Sequence, residues 1–252
     1  MSQTGAKPVS QFVLVTDFGC HGPYLGQVHA VLKTHAAHVP IIDLLSDAPL
    51  CNPRASAYLI AALSNYIPDG AIFLAVVDPG VGGVRAGIIV ESARHLFVGP
   101  DNGLLSQVVH QSSECKAWKI DWIPPQCSST FHGRDIFAPI AAKLANHKPF
   151  RRVPISVGSM VGFDWPENLY ECIYIDHYGN IYTGIKSCKI GDDAVIKVGA
   201  HAICCASTFS DRLPGELFWY VNSCGLIEIA ANLNRASEIL DIKVGDAIAL
   251  QL

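Results

Sequence analysis

Residues 71–85 read AIFLAVVDPGVGGVR. The unbroken apolar run 71–77 is the pattern of a strand covered on both faces, where the in/out alternation of a half-exposed strand is lost. Asp78 then emerges at the carboxyl end of that strand, the edge at which open α/β sheets bind ligands. The glycine-rich turn that follows ends in Arg85, so an acid and a cation sit on one short loop. A dinucleotide loop of the form GxGxxG needs a third glycine where Arg85 stands, and residues 87–92, GIIVES, read as strand and not helix. That fingerprint is rejected. No GxxxxGK followed by Ser or Thr occurs either, so the phosphate-cradling reading fails as well.

Outward from this stretch the first half alternates strand and helix signals. Strands are predicted at 12–16 (FVLVT), 40–45 (PIIDLL), 71–77, 87–92 and 95–99, with helices at 24–35, 102–111 and 135–147. Asn52 and Pro53 form an N-cap and first-turn pair that opens a further helix running to about Tyr66. The βαβαβ order predicts an α/β domain with a mostly parallel central sheet over residues 1–150. Residues 151–168, with Pro154, Gly158, Gly162 and Pro166, read as a linker. Beyond it lie seven short β-rich runs separated by Gly, Asp and Asn turns, which predict a small all-β barrel or sandwich over 169–252.

Composition narrows the function classes. Charged residues make up 16% of the 252, against a usual share of about 25%, and mean hydropathy is positive. So few charges leave apolar surface to be buried between subunits, which predicts an oligomer. A net charge of −4 without a basic run argues against a nucleic-acid partner. No apolar run approaches the roughly 18 to 20 residues of a bilayer span, and MSQTGAKPVSQ at the start lacks the apolar core of a secretory signal. A cytoplasmic protein is expected. The 9 cysteines are scattered, odd in number and without a CxxC pair. Most are read as small core residues, including Cys204 and Cys205.

Four polar clusters interrupt the apolar segments: 16–19 (TDFG), 78–80 (DPG), 100–103 (PDNG) and 131–135 (FHGRD). Three of them follow a predicted strand, which gathers them along one sheet edge. Two chemistries fit. In a metal hydrolase, Asp17, His21, Asp78, Asp101, His132 and Asp135 are the candidate ligands, although no HExxH-type spacing is present. In a metal-free site, Asp78, Arg85 and His132 position and polarise a water: the arginine stabilises hydroxide character, the histidine takes or holds the proton, and the carboxylate orients one of them.

The ordered set VTDFG (15–19), VDPGVG (77–82) with Arg85, GPDNGLL (99–105), FHGRDIFAP (131–139), DHYGN (176–180) and NSCGLIEIAAN (222–232) resembles the S-adenosyl-L-methionine (SAM) hydroxide adenosyltransferases, relatives of the SAM-dependent chlorinases and fluorinases. The resemblance implies an N-terminal α/β domain, a C-terminal β-barrel and a homotrimer with SAM sites between subunits. It further implies hydrolysis of SAM to adenosine and L-methionine by attack of an activated water at C5′, with SAM as substrate and no cofactor or metal. Asp78, Arg85 and His132 fall on the family's water-activating residues. Halogenating relatives carry Tyr in place of Asp78, and fluorinating ones a halide-contacting Ser in place of Gly133, so the resemblance points to water over halide. By the same resemblance Asp17 holds the ribose, Asp176 the methionine amine, Asn180 the adenine and Ser223 the methionine carboxylate. Tyr24, Gly133, Tyr178 and Phe209 are further substrate contacts. The chain departs from the family pattern at Gly22 (usually Asp), at His29 and Ala30 (commonly Lys-Gly), at Gly184 (Asn) and at Tyr178 (Phe). A non-catalytic SAM- or adenosine-binding protein and a metal-dependent hydrolase are the alternatives.

Overall fold

Five apolar or hydroxyl residues without an exposed side, Phe12–Thr16, form β1 in the computed structural model, which describes residues 9–112 and 114–251. There follow α1 (Tyr24–Ala36), β2 (Ile41–Leu45), α2 (Pro53–Ser64), β3 (Ile72–Val76), β4 (Gly87–Glu91), β5 (Leu96–Pro100), α3 (Ser106–Val109), β6 (Lys116–Ile120), α4 (Ala138–Ala145) and β7 (Arg152–Ile155). The strands form one sheet in the order β2-β1-β3-β5-β4-β6-β7. The β2-β1-β3-β5 pairings are parallel, and β4, β6 and β7 pair antiparallel. β3, formed by the apolar run before Asp78, is fully buried near the sheet's centre. Val28, Leu32 and Ala36 of α1 share a core with Ile140, Ala141 and Ala145 of α4 and with Phe12, Leu14, Ile72 and Leu74 of the strands. Each large side chain removed from water there contributes about 1.5–3 kcal/mol. Asn52 does cap α2: its Oδ1 accepts the Ala55 N–H at 3.0 Å, with Pro53 in the first turn.

Several elements differ from expectation. The helix expected over 102–111 shrinks to α3, because Asn102 diverts the chain: its Oδ1 accepts the Leu104 N–H and its Nδ2 donates to the Val77 carbonyl. The helix expected over 135–147 begins instead as a π-helical turn, Gly133–Phe137, and continues as α4. β6 was not anticipated. The expected linker 151–168 contains β7, paired with β6. Its Pro154 is tolerated because β7 is the last strand of the sheet and needs no donor on its free side.

The chain divides into two compact units, one holding residues up to 57 with 67–165, the other 58–66 with 166 onward. The second unit contains β8 (Leu169–Ile175), β9 (Ile181–Lys186), β10 (Val195–Val198), β11 (His201–Ile203), β12 (Leu217–Val221), β13 (Leu226–Ala231), α5 (Ala236–Ile239) and β14 (Ala249–Gln251). They form antiparallel sheets β12-β13-β9-β8 and β11-β10-β14. Single bridges join the two at both edges, Glu171 with Ala247 and Cys205 with Trp219, so the strands close into the expected barrel. Inside lie Ile181, Ile196, Ile227, Ile229 and Trp219, whose Nε1 donates to the Ala194 carbonyl at 3.0 Å.

All nine cysteines are free, but only Cys172 is buried; Cys20, Cys51, Cys188 and Cys204 are exposed. The reading of most of them as core residues is therefore corrected: a short side chain buries only where its backbone does, and most of these lie in turns or at strand ends. Burial pushes the Cys172 thiol up to about 12. Among the described residues no helix is long and apolar enough to cross a membrane. The N-terminal segment read for a leader lies mostly outside the described residues, as does Leu252 at the end of the last predicted strand.

Candidate active site

Asp78 leaves the carboxyl end of β3, and Arg85 stands just before β4, so one loop carries both. Gly82 at its tip has φ +79°, and a Cβ there would collide with the Ser129 carbonyl oxygen. The loop can thus lie flat against 128–131, the segment that leads into His132. The π-turn beginning at Gly133 inserts one residue into the helical ladder and rotates what precedes it, a device frequent at functional sites.

The three side chains converge. Arg85 Nε donates to both Asp78 oxygens at 3.0 Å, and Nη2 donates to Asp78 Oδ2 and, at 2.8 Å, to His132 Nδ1. The pair is well covered, with the Arg85 and Asp78 side chains 11% and 4% exposed. The guanidinium also lies over the Phe137 ring, 5.2 Å from its centroid. A guanidinium has no acceptor, so Nδ1 must be the acceptor and the proton of a neutral His132 sits on Nε2. Burial first, and then the Arg85 charge, hold the His132 pKa below its usual 6.5, against opposing pulls from Asp78 and Asp135. The imidazole is therefore a neutral donor at physiological pH.

A recess of about 100 Å³ is lined by Asp78 and His132 together with Asp17, Phe18, Cys51 and Gly133. Asp17 Oδ2 accepts the Cys51 N–H at 3.0 Å, yet burial raises its pKa overall, with the Asp78 charge adding to the effect. Gly133 is buried; a Cβ on it would meet Phe18 Cζ at 3.3 Å, so even a serine there would crowd the recess. Tyr24 stands outside this recess, with its ring packed on Phe18 and Phe131 at 5.7 and 5.3 Å between centroids.

In the barrel unit a cavity of about 870 Å³ is lined by Asp176, Tyr178, Asn180, Phe209 and Ser223, the other residues singled out from sequence. Asp176 and Asn180 are bonded to each other: Oδ1 accepts the Asn180 N–H at 2.9 Å and Oδ2 accepts Nδ2 at 3.1 Å. The same cavity reaches Tyr182, Tyr220, Asn222 and Glu228, which sequence reading passed over because each lies in an ordinary strand or turn pattern. The missed tie in the first unit is Asn102, whose bond to Val77 fixes the backbone immediately before Asp78.

The departures have structural counterparts. Gly22 has φ +119°, a conformation that an Asp would resist. His29 Nε2 meets Asp43 Oδ1 at 2.8 Å, while Ala30 is exposed on α1. Gly184 lies opposite Leu169, where a Cβ would come within 2.5 Å of the Leu169 Cβ, so an Asn does not fit this strand pairing.

The possible metal ligands are not assembled: among the described residues no three His, Cys, Asp or Glu form a group able to hold an ion. Asp135 is instead paired with Arg134, which together with the Ser128 N–H lowers its pKa, and Asp101 accepts the Val161 N–H at 3.0 Å.

An α/β unit bearing a closed Asp–Arg–His set, with a β-barrel unit bearing a ligand-sized cavity, defines a two-unit enzyme class. The N-terminal domain profile of the SAM hydroxide adenosyltransferases matches residues 12–154 and the C-terminal domain profile residues 170–249, and the chain belongs to this family. It is 32% identical to the (R)-S-adenosyl-L-methionine hydrolase of Salinispora arenicola, over 92% of this chain and 94% of that one. Identity to the enzyme of the same name from Methanocaldococcus jannaschii is 31%, over 94% of each chain. A fluorinase from Actinopolyspora mzabensis is more distant, 22% identical over 98% of each. Among solved structures, an uncharacterized conserved protein from Thermotoga maritima superposes with a TM-score of 0.85 at 31% identity, covering 96% of this chain and 100% of that one.

Proposed function

We propose that this enzyme hydrolyses S-adenosyl-L-methionine to adenosine and L-methionine, without a metal or other cofactor. The observation that carries the reading is the Arg85 to His132 Nδ1 bond, because it fixes a neutral imidazole with Nε2–H as the donor at a recess lined by His132 and Asp78. That donor, with the guanidinium charge behind it, holds a water oxygen and stabilises its hydroxide character, while Asp78 anchors the guanidinium. As the oxygen bonds to C5′, the C5′–S bond breaks and its electron pair returns to sulfur. The water's proton leaves to solvent. The sulfonium needs no acid to depart, and opposite charges cancel as the reaction proceeds, so a recess that excludes bulk water lowers the barrier. The names of the hydrolase relatives support the substrate and, by their prefix, its (R)-sulfonium form.

The substrate roles follow the same reading: Asp17 for the ribose, Asp176 for the amine, Asn180 for adenine, Ser223 for the carboxylate, with Tyr178 and Phe209 against the nucleoside. The protein acts in the cytoplasm as a homotrimer with its active sites at subunit interfaces. The test is turnover of SAM in ¹⁸O-labelled water with EDTA present. Label is expected in the adenosine 5′-hydroxyl; adenosine without label, or loss of turnover to EDTA, contradicts the mechanism.

A further inference from the structure

The barrel cavity is lined by two carboxyl groups, Asp176 and Glu228, and one guanidinium, Arg235. Arg235 is engaged elsewhere, with Nε on Glu238 Oε1 and Nη1 on the His177 carbonyl, both at 2.7 Å. Neither carboxyl forms an ion pair among the described residues. Glu228, on β13, is only 2% exposed. Its Oε1 accepts the Tyr220 hydroxyl and its Oε2 accepts Asn222 Nδ2 at 3.0 Å, and the nearby Tyr182 hydroxyl also favours its charged form. Asn222 is itself oriented, since its Oδ1 accepts the N–H groups of Cys224 and Leu226.

All of these donors are neutral. A buried carboxylate held this way remains costly until a cation arrives, and burial with the nearby Asp176 charge raises the Glu228 pKa accordingly. Tyr178, Phe209 and Tyr220 line the same space. Aromatic rings, with a carboxylate behind them, suit a cation that has no N–H to donate. A sulfonium is that cation.

We propose that Glu228 is a specificity-determining residue that reads the sulfonium charge, so that the cavity prefers a nucleoside sulfonium to the same nucleoside carrying a neutral thioether. This rests on the SAM hydrolase reading and adds the residue by which substrate charge is distinguished. The reaction erases the charge: once the electron pair returns to sulfur, neither product is a sulfonium, and the attraction that favoured entry no longer holds them.

The test compares KM for SAM with the inhibition constant of S-adenosyl-L-homocysteine, which lacks only the S-methyl group and its charge. In the wild-type protein the inhibition constant is expected to exceed KM by about tenfold or more. Glu228→Gln keeps the shape and can still pair with Tyr220 and Asn222. It is expected to raise KM about tenfold while leaving the inhibition constant within about twofold, and Glu228→Asp to restore most of the preference. Parallel loss of both ligands, an unchanged ratio, or no wild-type preference overturns the proposal. If Glu228→Gln does not fold, Tyr220→Phe, which removes a donor and no charge, must keep the preference; its collapse would show that shape, not charge, is read. A wild-type protein that does not turn over SAM at all sinks the hydrolase reading instead.

Discussion

His132 can accept from Arg85 only while Nδ1 is unprotonated, and this makes its titration visible in the rate. Because burial and the Arg85 charge lower its pKa, kcat/KM is expected to show an acid limb whose midpoint falls below 6.5 and to level off at higher pH. The sign follows from the bond: a proton on Nδ1 would set two N–H donors against each other, so activity is lost on acidification and not gained. A limb centred at or above 6.5 would contradict the assignment. The grouping of Asp78, Arg85 and His132 was legible in the sequence because Asp78 and Arg85 share a glycine-rich break after an apolar strand and His132 stands beside a glycine and two charges. Which His132 nitrogen carries the proton was not, since the tautomer is decided by a contact across 47 residues. Nor was the setting of Tyr24, whose partner Phe131 is remote in sequence.

Loops and turns determine how firmly these side chains are held. Asn102 joins the chain after β5 to Val77, the residue before Asp78, at 2.9 Å. Asn102→Ala leaves the three polar side chains in place but frees that carbonyl. It is expected to cost about 1 kcal/mol of stability by chemical denaturation and to lower kcat more than it raises KM. An unchanged kcat would show that the tie is irrelevant to Asp78. Unbroken apolar runs made β1 and β3 readable, and the Asn52–Pro53 cap pair made α2 so. β6 escaped because KAWKI has too short an alternation to stand out, and β7 because a proline in an edge strand looks the same as a proline in a linker. The π-turn was unreadable for a different reason: one extra residue in a helical ladder leaves no compositional mark.

At the scale of the whole molecule, the polar set and the larger cavity are carried on different compact units of the chain. If the active sites of a trimer form between subunits, Asp78→Ala and Ser223→Ala chains assembled together regain activity that neither has alone. The rate of the mixed, co-refolded sample checks this, and a rate no higher than that of the separate variants excludes sites shared between chains. Seven β runs in the C-terminal part pointed to a barrel or a sandwich, and the closure that makes it a barrel depends on two single-residue bridges that no local pattern encodes. The order of the first sheet was likewise hidden, because strands that follow one another need not be neighbours.

That order has a consequence for how the protein reaches its active form. β5, although later in the chain, lies between β3 and β4, and the Ala86 carbonyl beside Arg85 accepts the Asp101 N–H that follows β5. The loop bearing Asp78 and Arg85 therefore has its two ends fixed only after a later strand has inserted between them. Such non-local pairing forms slowly. In refolding, catalytic competence will lag behind the burial of β1 and β3, and a nascent chain will stay inert until β5 is in place.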